Sequence, residues 1–329
     1  MRVINEIGCV IVPPMTDLPP AILIMGPTAS GKTSLALEFA KRFPVEIISV
    51  DSALVYRDMN IGTSKPDSSM LAVAPHHLID ICDPTEAYSA ATFRNDALSL
   101  MASVTEKGKI PLLVGGTMLY YRGLLNGLSD LPSAQPELRQ KLEKMFESSG
   151  NQVMHQRLEQ VDPVAAKKIH PNDPQRIQRA LEVYESTGKP ISQWWADQDK
   201  YVFPYKTIKI ATMPEDRSLL HKIIEQRFDE MLELGFVKEV ESLMARGDLD
   251  LDKPSMRSVG YRQIWQFLEG EFNYDEMRNK GIAATRQLAK RQLTWLRREK
   301  ELNWVTTAKE NTLGQALSLV RGLTTVKAE

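Results

Sequence analysis

Short apolar runs that stop at small or polar residues mark the chain at four places. Ala21-Ile22-Leu23-Ile24-Met25 halts at Gly26, Val45 to Val50 ends at Asp51, and Ile110 to Val114 ends at Gly115-Gly116-Thr117. A fourth run, Thr207 to Ala211, begins after Pro204, and a helix-compatible stretch, Lys32 to Arg42, separates the first two. Apolar runs of this length suit strands covered on both faces, and strands alternating with helical segments predict a parallel, doubly wound sheet. Ligands of such sheets sit beyond the carboxyl ends of the strands, so the loop from Gly26, Asp51 and Thr117 are expected on one edge.

The pattern changes after about residue 126. Leu131-Pro132, Pro136, Asp162-Pro163, Asn172-Asp173-Pro174 and Gly188-Lys189-Pro190 punctuate amphipathic segments with no strand signal. One helix is well marked, with Asp173 as N-cap, Pro174 in the first turn, Gly188 past the end, and Ile177, Leu181 and Tyr184 on its apolar face. Residues 126–199 therefore read as a helical insertion into an α/β core formed by 19–125 and 200–329. Beyond Ala211 the chain reads as mostly helical. Leu220, Ile223, Ile224, Phe228 and Met231 repeat at helical spacing up to Gly235, and a last, basic helix runs from about Ile282 to Arg298.

Bulk composition narrows the class without naming a chemistry. A chain of 329 residues that is 43% hydrophobic and 25% charged can bury a sizeable core. Its net charge of −1 excludes a broad basic field for coating nucleic acid and leaves room only for a local patch. Residues 281–300 are such a patch, with Arg286, Lys290, Arg291, Arg297, Arg298 and Lys300 against Glu299, an excess of +5. Cys9 and Cys82 lie too far apart for a zinc or disulfide framework. The apolar run Gly8 to Val12, broken by Pro13 and Pro14, is too short for a signal peptide or membrane span. Residues 1–18 read as a loose extension with Met15 as a second candidate start, and a cytoplasmic location with no membrane partner is expected.

Gly26-Pro27-Thr28-Ala29-Ser30-Gly31-Lys32-Thr33 fits G-x-x-x-x-G-K-[ST], and it lies between a predicted strand and a predicted helix. Glycines permit a tight loop whose N–H groups turn inward on phosphate oxygens, the helix start adds its positive end, Lys32 adds a mobile charge, and the Thr33 hydroxyl is placed for Mg²⁺. The fold class that follows is α/β, a P-loop NTPase-like parallel sheet core flanked by helices, with a helical insertion domain. Asp51, at the end of the next strand, reads as a metal-positioning acid, a general base, or a turn-capping aspartate. Arg227 falls on the apolar face of its helix, four residues from Ile223 and Met231. A charge facing inward needs an anionic partner or a stem that snorkels out. His76 and His77 have no further ligand at suitable spacing and read as structural.

Seven motifs, in order, carry a resemblance. After the phosphate loop come Asp51-Ser52-Ala53-Leu54-Val55-Tyr56-Arg57 with Ile61-Gly62-Thr63-Ser64-Lys65-Pro66, His76-His77-Leu78-Ile79-Asp80, and Leu113-Val114-Gly115-Gly116-Thr117. Asp173-Pro174-Gln175-Arg176-Ile177-Gln178-Arg179-Ala180-Leu181, Met256-Arg257-Ser258-Val259-Gly260-Tyr261 and Lys290-Arg291-Gln292-Leu293-Thr294-Trp295-Leu296-Arg297 complete the set. Together they resemble the bacterial tRNA dimethylallyltransferases, also called tRNA isopentenyltransferases, over roughly residues 20 to 300. The resemblance implies transfer of a dimethylallyl group from dimethylallyl diphosphate to N6 of an adenosine beside the anticodon of tRNA, with Mg²⁺, by a monomer. It implies that Gly26 to Thr33 hold the donor's diphosphate, that Asp51, Thr117, Lys32 and Arg227 are catalytic, and that Thr33 meets the metal. It further implies tRNA contacts from Asp51, Ser52, Ala53, Leu54, Thr117 and Arg139, from Gln175 to Arg179, from Met256 to Tyr261, and from Lys290 to Arg297. Asp51 would take the N6 proton, Thr117 would orient the amine or the bridging oxygen, and Arg227 would meet the diphosphate. Trp295 is left as a core residue or a stacking platform.

A small-molecule or nucleoside kinase shares the loop and an acid on the second strand, and is the rival reading. A GTPase is disfavoured because Asn279-Lys280-Gly281-Ile282 lacks the aspartate of the guanine-reading motif.

Overall fold

The computed structural model describes residues 18–129, 131, 132, 135–198, 201–307 and 311–321. The expected extension therefore lies, but for Leu18, outside the described residues. Two compact units divide the chain, one running to Arg122 and resuming at Pro204, the other Gly123–Phe203.

The larger unit holds a six-stranded sheet of β1 (Pro20–Met25), β2 (Val45–Val50), β3 (His76–His77), β4 (Ile110–Gly115), β5 (Lys206–Pro214) and β6 (Leu302–Thr307), in the order β3-β2-β4-β1-β5-β6. Every pairing is parallel. The helices in chain order are α1 (Lys32–Ala40), α2 (Ser68–Val73), α3 (Ala90–Glu106), α4 (Met118–Asn126), α5 (Pro136–Val161), α6 (Pro163–Lys168), α7 (Pro174–Thr187) and α8 (Ile191–Gln198). After β5 follow α9 (Arg217–Glu233), α10 (Phe236–Met244), α11 (Tyr261–Leu268), α12 (Tyr274–Leu296) and α13 (Thr312–Val320). The doubly wound parallel sheet is the architecture that the apolar runs predict.

Both faces of the sheet are covered. Ile22, Ile24, Ile47, Leu112 and Ile210 pack under Leu35, Ala36 and Phe39 of α1 and Ala316 and Val320 of α13. The alternate residues Leu23, Ile48 and Leu113 are equally buried, on the side where α3 packs on β2 and β4 and α9 on β5. Burial on both faces explains why these strands read as continuous apolar runs.

Four elements differ from the pattern read along the chain. β5 extends beyond Ala211 to Pro214, and β6 pairs with it where helix was expected. His76 and His77 form a short edge strand on β2. The basic helix begins at Tyr274 rather than near Ile282, behind a capping box in which the Asn273 side chain accepts from Glu276 N and the Glu276 carboxylate accepts from Asn273 N.

In the smaller unit, α5 to α8 enclose a core of Leu142, Met154, Leu158, Ala165, Ile177, Leu181, Val183 and Ile191, and α5 breaks at Gly150. The Asp173 cap, Pro174 and Gly188 bound α7 as the sequence predicts, with Asp173 accepting from Arg176 N. Asp162 is 2% exposed and caps two helices at once, accepting from Ala165 N and Ser192 N.

Candidate functional site

The phosphate loop leaves β1 at Met25 and enters α1 at Lys32. Ala29 and Gly31 both adopt left-handed backbone, at φ 63° and 80°, which curls the loop so that successive N–H groups face inward. No side chain caps the first turn of α1, so its amides remain free for an anion. Ser30 Oγ and Thr212 Oγ1 lie 2.7 Å apart behind the loop, and a side chain at Gly26 would strike both. Gln292, from α12, accepts from Thr28 N at 2.8 Å and donates to the Gly116 carbonyl at 2.8 Å. One buried amide therefore ties the phosphate loop to the loop after β4.

The register of the sheet places Met25 and Val50 level with Gly115, so the ends of β1, β2 and β4 meet. Beyond them opens a cavity of about 660 Å³, lined by Thr28, Ala29, Lys32 and Thr33 of the loop, by Asp51 to Leu54, and by Thr117 and Arg227. Arg257, Ser258, Val259, Arg291, Gln292 and Trp295 line it as well. That volume falls within the ordinary range for small-ligand sites.

Asp51 divides its two oxygens. Oδ1 accepts from Ala53 N at 2.8 Å and Leu54 N at 3.4 Å, which is the turn-capping role, while Oδ2 accepts from no described residue. Thr117 Oγ1 accepts from Ser52 N at 3.0 Å, and its own N–H donates to Val50 O. Lys32 Nζ donates to Pro27 O at 2.6 Å. Its ammonium is enclosed, and burial pushes its pKa down to about 8, opposed by the Asp51 charge and reinforced by Arg227. Burial also lowers Arg227, with Glu230 acting against it, and among the described residues Arg227 forms no ion pair or hydrogen bond. No carboxylate of the described residues is the anionic partner that an inward-facing Arg227 needs. Two burial-strained cations on one cavity leave room for an anion of high charge.

The oxygen donors here are hydroxyls and one carboxylate, and no group of three or more His, Cys, Asp or Glu side chains comes together among the described residues. That donor set fits Mg²⁺, which keeps several waters and leans on substrate phosphates, and does not fit zinc.

An IPP transferase model matches residues 54–299 of the chain, and an isopentenyl transferase model matches residues 19–86. The chain belongs to the IPP transferase family. Its fold is similar to that of tRNA isopentenylpyrophosphate transferase from Bacillus halodurans, at TM-score 0.68 and 35% identity over 93% of this chain and 97% of that one. The tRNA Δ2-isopentenylpyrophosphate transferase from Staphylococcus epidermidis matches at TM-score 0.68 and 33% identity, over 93% and 100% of the two chains. A eukaryotic dimethylallyltransferase acting on tRNA matches at TM-score 0.78 and 27% identity, over 92% and 78%. Family membership removes the ground for the kinase reading.

Not every residue of the family motifs faces the cavity. Met256, Gly260, Tyr261, Leu293, Leu296 and Ile177 are buried and pack in the interior of their units. Tyr261, Phe236 and Phe228 form an aromatic cluster, and a side chain at Gly62 or Gly260 would collide with Phe236. Lys290 and Thr294 lie on the exposed face of α12, and Arg297, its C-cap, is exposed as well. In the smaller unit Gln175 and Arg176 are exposed, but Arg179 turns inward. It pairs with the buried Glu182 at 3.0 Å and donates to Pro132 O, and Arg139 Nε also donates to Glu182. Burial alone would raise the Glu182 carboxyl, but Arg179, the Gln135 N–H and Arg139 outweigh it and hold it low. Gln178 donates to Arg139 O and Glu143.

Two residues that organise the cavity escaped the sequence reading. Gln292 was grouped with RNA contacts, although a polar residue among Ala289, Leu293 and Leu296 on a buried helix face is the same signal that singled out Arg227. Glu239 of α10 accepts from Asn60, Ile61 and Gly62 N–H at 2.9, 2.7 and 3.1 Å, and from Tyr261 OH at 2.6 Å. It thereby holds the loop that brings Gly62, Thr63 and Ser64 to the cavity wall. Lys65 serves the same frame by donating to Tyr56 O, Asn60 Oδ1 and Asp80. His77 Nε2 donates to the Glu46 carboxylate in a cluster completed by Lys109, as a structural histidine.

Proposed function

We propose that the cavity binds dimethylallyl diphosphate and that the chain transfers its dimethylallyl group to N6 of an adenosine in the tRNA anticodon loop. What supports this reading above all is a pair of buried cations, Lys32 and Arg227, that form no ion pair among the described residues, on one cavity with a carboxylate oxygen of Asp51 left free. The diphosphate lies on the loop amides and the first turn of α1, with Lys32 and Arg227 on its oxygens. Ile224, Phe228, Met231 and Val259, which line the same cavity, offer apolar surface to the prenyl tail.

In the reaction a bond forms between N6 and the first carbon of the dimethylallyl group as the carbon–oxygen bond to diphosphate breaks. Asp51 Oδ2 accepts the hydrogen bond of the attacking amine and then its proton. Thr117, fixed to Ser52, orients the same amine. Loop amides, Lys32 and Arg227 stabilise the charge that grows on the leaving group. Mg²⁺, when bound with the donor, would be met by Thr33 and would neutralise part of that charge.

RNA recognition follows from exposed motif residues. Arg176 and Gln175 on α7, Lys290 and Thr294 on α12, and Arg297 at its C-cap are proposed to contact phosphates and base edges. The target adenosine leaves its stack to reach the donor. The chain acts as a monomer in the cytoplasm in this reading, and no described helix is long and apolar enough to cross a membrane.

One assay tests the proposal: the protein is incubated with Mg²⁺, labelled dimethylallyl diphosphate and unmodified tRNA, with labelled ATP in parallel. Label in N6-dimethylallyladenosine and none transferred from ATP is the expected result. Phosphate transfer from ATP without prenylation would replace this reading with the kinase one.

A further inference from the structure

Ser49 is a buried hydroxyl that the mechanism above does not use. It is 4% exposed, and its Oγ has no hydrogen-bond partner among the described residues. Strand alternation puts Ile47, Ser49 and Asp51 on one face of β2, and all three line the cavity. The residue paired with Ser49 on β4 is Val114, so its lateral neighbour across the ladder is apolar. On the helix side the same cavity is bounded by Thr33 and Ala36 of α1. A buried hydroxyl without a partner costs free energy, and one that borders a cavity is open to a hydrogen bond from what the cavity holds. The cavity is the open side of this hydroxyl.

We infer that the Ser49 hydroxyl is a hydrogen-bonding group for a water of the hydrated divalent cation that accompanies the donor's diphosphate. The inference rests on the proposed reading of the loop as a diphosphate site. It goes further by assigning the floor of that site to the cation's water shell. Mg²⁺ gives up its waters reluctantly and is held by few protein groups, so its remaining waters need acceptors in the wall around it. Thr33 supplies the hydroxyl at the end of the loop, and Asp51 offers one free oxygen. Ser49, one strand position pair below Asp51, supplies a neutral group that can accept from a metal-bound water. It adds no further negative charge beside the phosphates. Its apolar neighbours Ile47 and Val114 offer that water no hydrogen bond.

The test uses the full chain with inorganic pyrophosphate as probe, with and without Mn²⁺, measured by calorimetric titration. Mn²⁺ paramagnetic resonance is a second readout. Ser49→Ala is expected to bind pyrophosphate roughly tenfold more weakly than wild type when Mn²⁺ is present, the usual size for a hydrogen bond in a charged setting. Without metal the two proteins are expected to agree within about twofold. The variant's Tm is expected to equal or exceed that of wild type, because an unsatisfied buried hydroxyl has been removed. Equal affinities with Mn²⁺, or the same loss in the metal-free arm, would overturn the assignment. A Tm several degrees lower would also overturn it by marking Ser49 as structural. Failure of wild type itself to bind pyrophosphate would sink the diphosphate reading and this inference with it, and is distinguishable from the other outcomes.

Discussion

Replacing Glu239 with alanine removes four hydrogen bonds at once, and the structure says how unequal they are. The carboxylate accepts from the amides of Asn60, Ile61 and Gly62 and from the Tyr261 hydroxyl at 2.6 Å. Asn60 is exposed and Ile61 and Gly62 are half-buried, so water can replace the carboxylate at those amides. Tyr261 is fully buried, and its hydroxyl would be stranded. An unsatisfied buried polar group costs about 1–3 kcal/mol, and the rehydrated amides add a smaller loss, for a total of roughly 2–4 kcal/mol. For a folding unit of this size that lowers Tm by roughly 5–12 °C. Because the held loop also supplies Gly62, Thr63 and Ser64 to the cavity, the KM for the prenyl donor should rise several-fold as well. Thermal unfolding followed by circular dichroism, with donor KM measured on the same samples, checks both expectations. Tyr261→Phe made alone and together with Glu239→Ala should be less than additive, since the two residues share one bond. A Glu239→Ala protein that melts within about 1 °C of wild type and keeps its donor KM would refute the role assigned to this carboxylate.

Three further outcomes follow from the site. Asp51→Asn keeps an acceptor for the Ala53 and Leu54 amides yet cannot take a proton, so kcat for prenyl transfer should fall about 100-fold or more while pyrophosphate binding is kept; near-normal turnover would remove Asp51 from the base role. Arg227→Ala should raise the donor's KM at least tenfold, the loss of a charge-assisted contact to phosphate, with little change in Tm because Arg227 has no partner among the described residues; an unchanged KM would point to a purely structural arginine. Burial holds Lys32 near 8 instead of its ordinary 10.5, so its ammonium is fully charged below that pH and is lost as pH rises through it. An anion favours the charged form, so pyrophosphate affinity measured by titration should be level below about 8, weaken above it, and lose that dependence in Lys32→Met. Without ligand the sign reverses: stability should rise with pH between about 8 and 10.5, where the unfolded chain still holds a proton that the folded one has released.

The sheet was legible because strands covered on both faces must be apolar throughout, and β1, β2 and β4 each end where the apolar run ends. The loop was legible because its glycines and its lysine serve local geometry. β6 was not, since Asn303 and Trp304 are exposed on an edge strand and dilute the apolar signal, and β3 is too short to carry one. Within the site, the residues that touch the cavity and those that frame it share the same motifs. Asp51, Thr117 and Arg257 line the cavity, whereas Tyr261, Leu293 and Arg179 are spent on packing or on a buried carboxylate. That division depends on which way each side chain points, and spacing settles it only on regular helices. Glu239 was invisible for another reason: three of its four partners are backbone amides more than 170 residues away, and backbone partners leave no mark in the residue types.

The decisive measurement is a crystal structure of the chain with Mg²⁺, a non-transferable thiolo analogue of dimethylallyl diphosphate and an unmodified anticodon stem-loop. The diphosphate is expected on the amides of residues 26–33 with Lys32 and Arg227 on its oxygens, and Asp51 Oδ2 within hydrogen-bonding distance of the adenosine N6, about 2.6–3.2 Å. A diphosphate seated elsewhere, or an Asp51 carboxylate turned away from N6, would contradict the reading of the cavity as the place where the prenyl group is transferred.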